Sequence, residues 1–244
     1  MRILLGSGGY RTEERRQLLI AAIRRHFGPL RRVLFIPYAL ADHDKYLQLV
    51  FERGYDAGYE LTGIHQHPDP VAAVLQAEAV FVGGGNTFRL LTELYRRQIL
   101  EPLRDRVRQG MPYLGVSAGS NVACPTIMTT NDMPIVQPPS FAALELVPFQ
   151  INPHYFSGNT FYKVGDALHE HFGETRDDRI REYHELNARP VIGLWEAGFL
   201  WIDGDTVTLT DTPARIFLPG KPPEDWAPGT VFSAAHVADG PRRS

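Results

Sequence analysis

A serine flanked by glycines, Gly115-Val116-Ser117-Ala118-Gly119, follows the apolar Tyr113-Leu114 and leads into a segment with helical character. A strand that turns sharply into a helix at such a serine lifts its hydroxyl clear of the sheet, because glycines on either side relieve crowding at the bend. Ser117 could there attack a carbonyl. The same residues also describe a mere strand-to-helix turn with a capping serine, so context must decide.

A serine hydroxyl needs a base to become a useful nucleophile. Nine histidines are present. His65 with His67, and His169 with His171, stand two apart as metal pairs can, but no acidic or cysteine ligand completes either set. His154 follows an apolar segment in Gln150-Ile151-Asn152-Pro153-His154-Tyr155, with the proline stiffening the turn. It is the candidate base, although a structural histidine fits the same string. Two acids could orient it: Asp132, in Thr129-Thr130-Asn131-Asp132-Met133-Pro134, and Glu196, directly after Val191 to Trp195.

A second glycine cluster, Gly83-Gly84-Gly85-Asn86-Thr87, follows Val80-Phe81-Val82 and could present backbone N–H groups to an oxyanion at the start of a helix. It lacks the lysine and hydroxyl residue of a phosphate loop. Gly6-Ser7-Gly8-Gly9-Tyr10-Arg11 fails the dinucleotide fingerprint, with Arg11 in place of its third glycine. No cofactor or metal is expected.

The elements that must hold these residues alternate between strand and helix. Strands are predicted at Arg2 to Leu5, Val33 to Ile36, Tyr59 to Ile64, Ala79 to Val82 and the stretch before Ser117. Helices are predicted from the Thr12 cap to Gly28-Pro29, over Asp42 to Ala57, Val71 to Gln76 and Thr87 to Arg97, and from Pro102. Pro190 to Trp195 alternates little and reads as a central strand, and Phe199 to Thr210 as a hairpin turning at Asp203-Gly204. The pattern predicts one α/β domain over residues 1–244: a doubly wound, mostly parallel sheet with helices on both faces and a C-terminal β-hairpin. Ligands in such sheets gather at the carboxyl ends of the strands, where these loops fall.

With 43% hydrophobic residues in 244, the chain can bury a sizeable core. A formal charge of −3 gives no general attraction to nucleic acid or anionic lipid, so neither is an expected partner, and an acidic substrate must meet local arginines. Cys124 is the one cysteine, which excludes an internal disulfide. Ile3-Leu4-Leu5 is too short for a signal-peptide core and no apolar run reaches membrane-spanning length, so the cytoplasm is the expected compartment.

Six strings occur in the order seen in peptidase E: Val82-Gly83-Gly84-Gly85-Asn86-Thr87-Phe88, Ser117-Ala118-Gly119, Ala123-Cys124-Pro125-Thr126-Ile127, Thr130-Asn131-Asp132-Met133-Pro134-Ile135-Val136, Ile151-Asn152-Pro153-His154 and Gly173-Glu174-Thr175-Arg176. The chain resembles this family of serine aspartyl dipeptidases over almost its whole length. The resemblance implies a fold like that of class I glutamine amidotransferases and hydrolysis of dipeptides that begin with aspartate. It maps Ser117 to the nucleophile, His154 to the general base, the Gly85 and Ala118 amides to the oxyanion hole and Arg176 to the arginine that reads the substrate aspartate. Without the resemblance, Arg176 among Asp177, Asp178, Arg179 and Arg181 reads as the solvated start of a helix.

Between Asp132 and Glu196, Asp132 is slightly favoured as the partner of His154, leaving the other acid for the substrate ammonium. The stretch from Tyr155 to Phe172 is longer than the family loop and reads as a lid or a surface insertion. The alternatives are a cyanophycinase-like hydrolase of aspartyl-arginine polymer and a non-catalytic small-molecule binding protein. A glutamine amidotransferase is disfavoured, because its elbow carries cysteine where this chain has Ser117. Monomer and homodimer both remain open.

Overall fold

A computed structural model describes residues 1–241, so the predicted domain's residues 242–244 lie outside the described ones. In chain order come β1 (Arg2–Gly6), α1 (Glu13–Phe27), β2 (Arg32–Ile36), α2 (His43–Glu52), β3 (Glu60–Gly63), α3 (Pro70–Gln76), β4 (Val80–Val82), α4 (Thr87–Arg96), α5 (Leu100–Arg108), β5 (Tyr113–Val116) and α6 (Ala118–Ala123). Then follow β6 (Gln150–Tyr155), β7 (Thr160–Val164), β8 (Ala167–His171), α7 (Arg176–Leu186), β9 (Val191–Trp195), β10 (Phe199–Asp203), β11 (Thr206–Thr210), β12 (Ala214–Phe217), β13 (Glu224–Trp226) and β14 (Val231–Ser233).

Local chemistry explains several boundaries. The Thr12, Asp42 and Asn86 side chains accept from backbone amides three residues on and start α1, α2 and α4. Glu13 and Glu14 occupy the first turn of α1, Arg24 and Arg25 its last, and Gly28 ends it. Helix α2 stops short of Ala57 because Gly54, Ala57 and Gly58 all take positive φ and turn the chain.

The parallel strands run β1-β5-β4-β2-β3, and β10, β11 and β14 extend the β1 edge antiparallel, giving eight strands in one sheet. Alternate residues face opposite layers. Leu4, Phe35, Phe81 and Leu114 pack with Leu19, Ile23 and Leu47 of α1 and α2. Leu5, Ile36, Val82 and Tyr113 pack on the other face with Leu90, Leu103 and Val122 of α4 to α6. The expected hairpin is β10–β11, with Gly204-Asp205 between its last paired residues, one position later than predicted.

One expectation is corrected. Val191–Trp195 is an interior strand, but of a second sheet ordered β13-β12-β9-β6 rather than of the large one. Its Ile192 and Leu194, with Ile216 of β12, join the core beneath the parallel sheet. β7 and β8 form a separate hairpin within the long stretch after Tyr155, and Phe161, Tyr162, Val164 and Leu168 are exposed on it.

This topology brings the loops together. β5 lies between β1 and β4, so Ser117 leaves the sheet flanked by the Ser7-Gly8-Gly9 loop and the Gly83-Gly84-Gly85 loop.

Candidate active site

Ser117 sits at φ 55° and ψ −109°, a conformation that side chains rarely adopt, and its amide is held by Gly6 O at 3.0 Å. A Cβ on Gly115 would lie 2.4 Å from Gly119 O, and one on Gly119 would lie 2.2 Å from Val82 O. The two glycines are therefore required by the close packing of the bend. Tyr113 Oη donates to Gly119 O and Ser120 Oγ to Gly6 O and Gly115 O, which fastens the turn.

The hydroxyl produced by this bend meets His154. Ser117 Oγ lies 2.8 Å from His154 Nε2, and His154 Nδ1 lies 3.2 Å from Glu196 Oε1. With the Nδ1–H donating to Glu196, the Nε2 lone pair faces the Ser117 hydroxyl. His154 and Glu196 stand at the carboxyl ends of the adjacent parallel strands β6 and β9. A register shift after Asn152 and a φ of 54° at His154 turn its ring towards Ser117. The buried Ser7 Oγ accepts from His154 N at 2.8 Å and donates to Leu194 O at 2.8 Å, holding that backbone in place.

The carboxylate at the imidazole is thus Glu196, where the sequence slightly favours Asp132. Asp132 Oδ2 instead accepts from Thr87 N at 2.8 Å, Thr87 Oγ1 at 2.6 Å and Thr130 Oγ1 at 3.1 Å. It lies at the amino end of α4, where a negative charge is favoured, and pins the loop that carries Gly85. Position along the chain could not separate the two acids, because both follow segments that end near the same sheet edge.

Ala118 follows Ser117 in the chain and Gly85 lines the same cavity as Ser117, and neither amide donates to a backbone carbonyl among the described residues. An ideal Cβ on the adjoining Gly84 would come within 3.1 Å of Ser117 Cβ, which measures how closely the glycine loop approaches this serine. A cavity of about 330 Å³ opens from Ser117 and His154 between the β1 loop, α1 and α2. A larger cleft of about 410 Å³ lies at the opposite, amino ends of β2, β3 and β4, beside Arg32, Glu60 and Glu78.

Arg176 is the first residue of α7, half-buried, and it reaches back to the site. Its Nη1 donates to Asn131 Oδ1, its guanidinium lies 5.5 Å from the Phe156 ring centroid, and its buried Nε has no partner. Burial, and then the like charge of Arg179, hold its pKa below the ordinary value, so the cation stands undercompensated. Asn131 Nδ2 donates to Pro153 O, beside His154, which ties Arg176 to the strand that carries His154. The neighbouring Asp177 accepts from Tyr155 Oη and Arg215, fixing α7 on the second sheet.

Four contributors escape a reading of the sequence alone. Gly8 and Gly9 look there like a broken nucleotide motif, but a Cβ on Gly8 would lie 2.5 Å from His154 Cε1 and one on Gly9 2.3 Å from Glu196 Oε2. Arg15 Nη1 lies 3.1 Å from Glu196 Oε2 and holds the acid from behind. Ser7 gave no signal beyond its place in the same loop.

The remaining candidates are not drawn in. His65 Nε2 pairs with Asp44 at 3.0 Å, and His169 stacks on Tyr162 of the exposed hairpin. Cys124 is buried, and burial pushes its thiol up to about 12, leaving it unreactive.

The chain also matches known proteins in sequence and in fold. Residues 2–210 match the sequence profile of peptidase family S51. The chain belongs to that family. It is 50% identical over 203 residues to a protein of Streptomyces coelicolor named "Peptidase E", covering 83% of this chain and 81% of the relative. It is 46% identical over 201 residues to a Drosophila melanogaster protein named "Probable alpha-aspartyl dipeptidase", covering 82% and 81%. A crystal structure of a peptidase from an acI-B1 Actinobacterium has the same fold at TM-score 0.64 and 18% identity, over 95% of this chain and 96% of that one. This S51 member has, among the described residues, no helix long and apolar enough to cross a membrane.

Proposed function

We propose that this single hydrolytic domain is a serine dipeptidase that removes an N-terminal aspartate from Asp-X dipeptides. The contact that carries the reading is Ser117 Oγ to His154 Nε2 at 2.8 Å, backed by Glu196, on a strained strand-to-helix bend. The relatives named peptidase E and alpha-aspartyl dipeptidase supply the substrate class. The undercompensated Arg176 suits a side-chain carboxylate, which a guanidinium grips with two parallel charge-assisted bonds.

In the reaction Arg176 holds the aspartate side chain and sets the scissile carbonyl over Ser117. His154 Nε2 takes the Ser117 proton as Oγ bonds to the carbonyl carbon, and the Gly85 and Ala118 amides stabilise the oxyanion. The imidazolium, its charge faced by Glu196, gives the proton to the leaving amine as the C–N bond breaks. His154 then deprotonates a water that attacks the acyl-enzyme and releases aspartate. Asp132 serves by fixing the Gly85 loop rather than by touching substrate.

The test is a panel of dipeptides that differ only at the first residue, run with the native protein and Ser117→Ala. Asp-Leu is the expected best substrate, and removing the nucleophile lowers turnover on the order of a thousandfold or more. A folded Ser117→Ala protein with near-native turnover would refute the mechanism, and indifference to the first residue would refute the specificity.

A further inference from the structure

The cavity beside Ser117 contains none of the groups that surround Arg176. Its wall is largely apolar, formed by Leu19, Leu40, Leu49, Val50 and Phe81 together with Tyr10, Tyr46 and Tyr55, and it ends at Ser117, His154, Gly84 and Gly85. Arg11 and Arg53 also line it; both are exposed, and neither is paired with a carboxylate among the described residues. Arg176, Asn131 and Phe156 lie outside it, on the side reached through Pro153.

The chemistry of acyl transfer orders these places. His154 must hand its proton to the leaving nitrogen, so the leaving residue lies against the imidazole, away from the group that holds the first side chain. The cavity begins at that imidazole, with Gly8 and Gly9 lining the same mouth. At about 330 Å³ it is at the small end of ligand pockets, which run to about 1,000 Å³, and so suits one residue rather than a peptide.

Building on the proposed dipeptidase reading, we infer that this cavity seats the second residue of the substrate: the apolar wall takes its side chain, and Arg11 and Arg53 face its terminal carboxylate. The enzyme thereby prefers an apolar second residue with a free carboxyl end. Two carboxylates of one substrate are read by arginines on opposite sides of the nucleophile.

The experiment compares kcat/KM for Asp-Leu, Asp-Gly, Asp-Leu-amide and Asn-Leu in the native protein, in Arg11→Gln/Arg53→Gln and in Leu49→Trp. The native protein should favour Asp-Leu over its amide about fivefold, as exposed charge pairs allow, and over Asp-Gly about tenfold from apolar burial. The double arginine variant should erase the preference over the amide while keeping the Asp over Asn preference. Leu49→Trp, at a partly exposed wall position, should abolish the advantage of Asp-Leu over Asp-Gly. Equal loss on Asp-Leu and its amide would overturn the carboxylate contact. An unchanged Leu over Gly ratio in Leu49→Trp would overturn the side-chain seat, and loss of the Asp over Asn preference in the double variant would mean the cavity reads the first residue. A native protein inert towards every Asp-X peptide would instead refute the dipeptidase reading and this proposal with it.

Discussion

Replacing Glu196 by glutamine removes the charge behind His154 with almost no change of shape. The pair is 3.2 Å apart, with side chains 38% and 44% exposed, so solvent screens it partly. Unit charges about 4 Å apart attract by about 1 kcal/mol in water and about 4 kcal/mol near a protein surface. Arg15, 3.1 Å from the other carboxylate oxygen, draws off part of that charge. A loss of about 2 to 3 kcal/mol in stabilising the imidazolium follows, or roughly a hundredfold in kcat. KM should change little, because the charge on His154 develops only during reaction. Asp132→Asn keeps an oxygen for the Thr87 amide and leaves His154 untouched, so its kcat should stay within about threefold of native, a change of about 0.7 kcal/mol at most. Steady-state kinetics on Asp-Leu for the two amide variants decides the matter. A larger kcat loss in Asp132→Asn than in Glu196→Gln would refute the assignment of Glu196.

Arg176→Met should collapse the preference for Asp-Leu over Asn-Leu by about 2 to 4 kcal/mol in kcat/KM, since a desolvated charge-assisted pair is lost, while a serine-directed phosphonate still labels Ser117. Persistence of the preference would place the reading group elsewhere. Ser7→Ala leaves His154 N and Leu194 O without their buried partner and should lower the unfolding free energy by about 1 to 3 kcal/mol with a fall in kcat, measured by urea denaturation beside kinetics. Unchanged kcat would show that this hydroxyl does not position the base. His26 is buried, and desolvation, then the charge of Arg2, push its pKa down to about 4. The unfolded chain, with its histidine near 6.5, binds the extra proton first, so acidification from about pH 6.5 to 4 should cost up to about 3 kcal/mol of stability that is fully present above that window. Replacing His26 by glutamine should flatten this slope in urea titrations at successive pH values, and an unaltered slope would assign acid sensitivity to other groups.

What the sequence made legible was largely local. Thr12, Asp42 and Asn86 mark helix starts because a side chain three residues before an amide either caps it or does not. The Ser117 bend is equally local, since Gly115 and Gly119 are demanded by contacts of the turn and its flanking strand. Membership of β9 in a second sheet was not legible, because it depends on pairing with β6 and β12, both distant in sequence, while a buried strand of either sheet shows the same apolar run. The same limit hid the choice between Asp132 and Glu196, and it disguised Gly8 and Gly9, whose need for hydrogen side chains appears only once His154 and Glu196 arrive from the other end of the chain. The β7–β8 hairpin gave little signal because its apolar residues are exposed rather than set on one buried face.

Ser117 directly follows β5 of the eight-stranded sheet, whereas His154 lies in β6 and Glu196 directly follows β9 of the four-stranded one. The 2.8 Å contact between Ser117 and His154 is therefore set across the two sheets, and under the proposed mechanism turnover gauges how the layers are docked. A slip of an ångström along that seam would silence the serine while leaving every strand and helix intact. Mild denaturant or a cavity cut into the shared core near Ile192 should accordingly extinguish turnover before circular dichroism registers any loss of secondary structure, making activity the more sensitive reporter of intersheet registry.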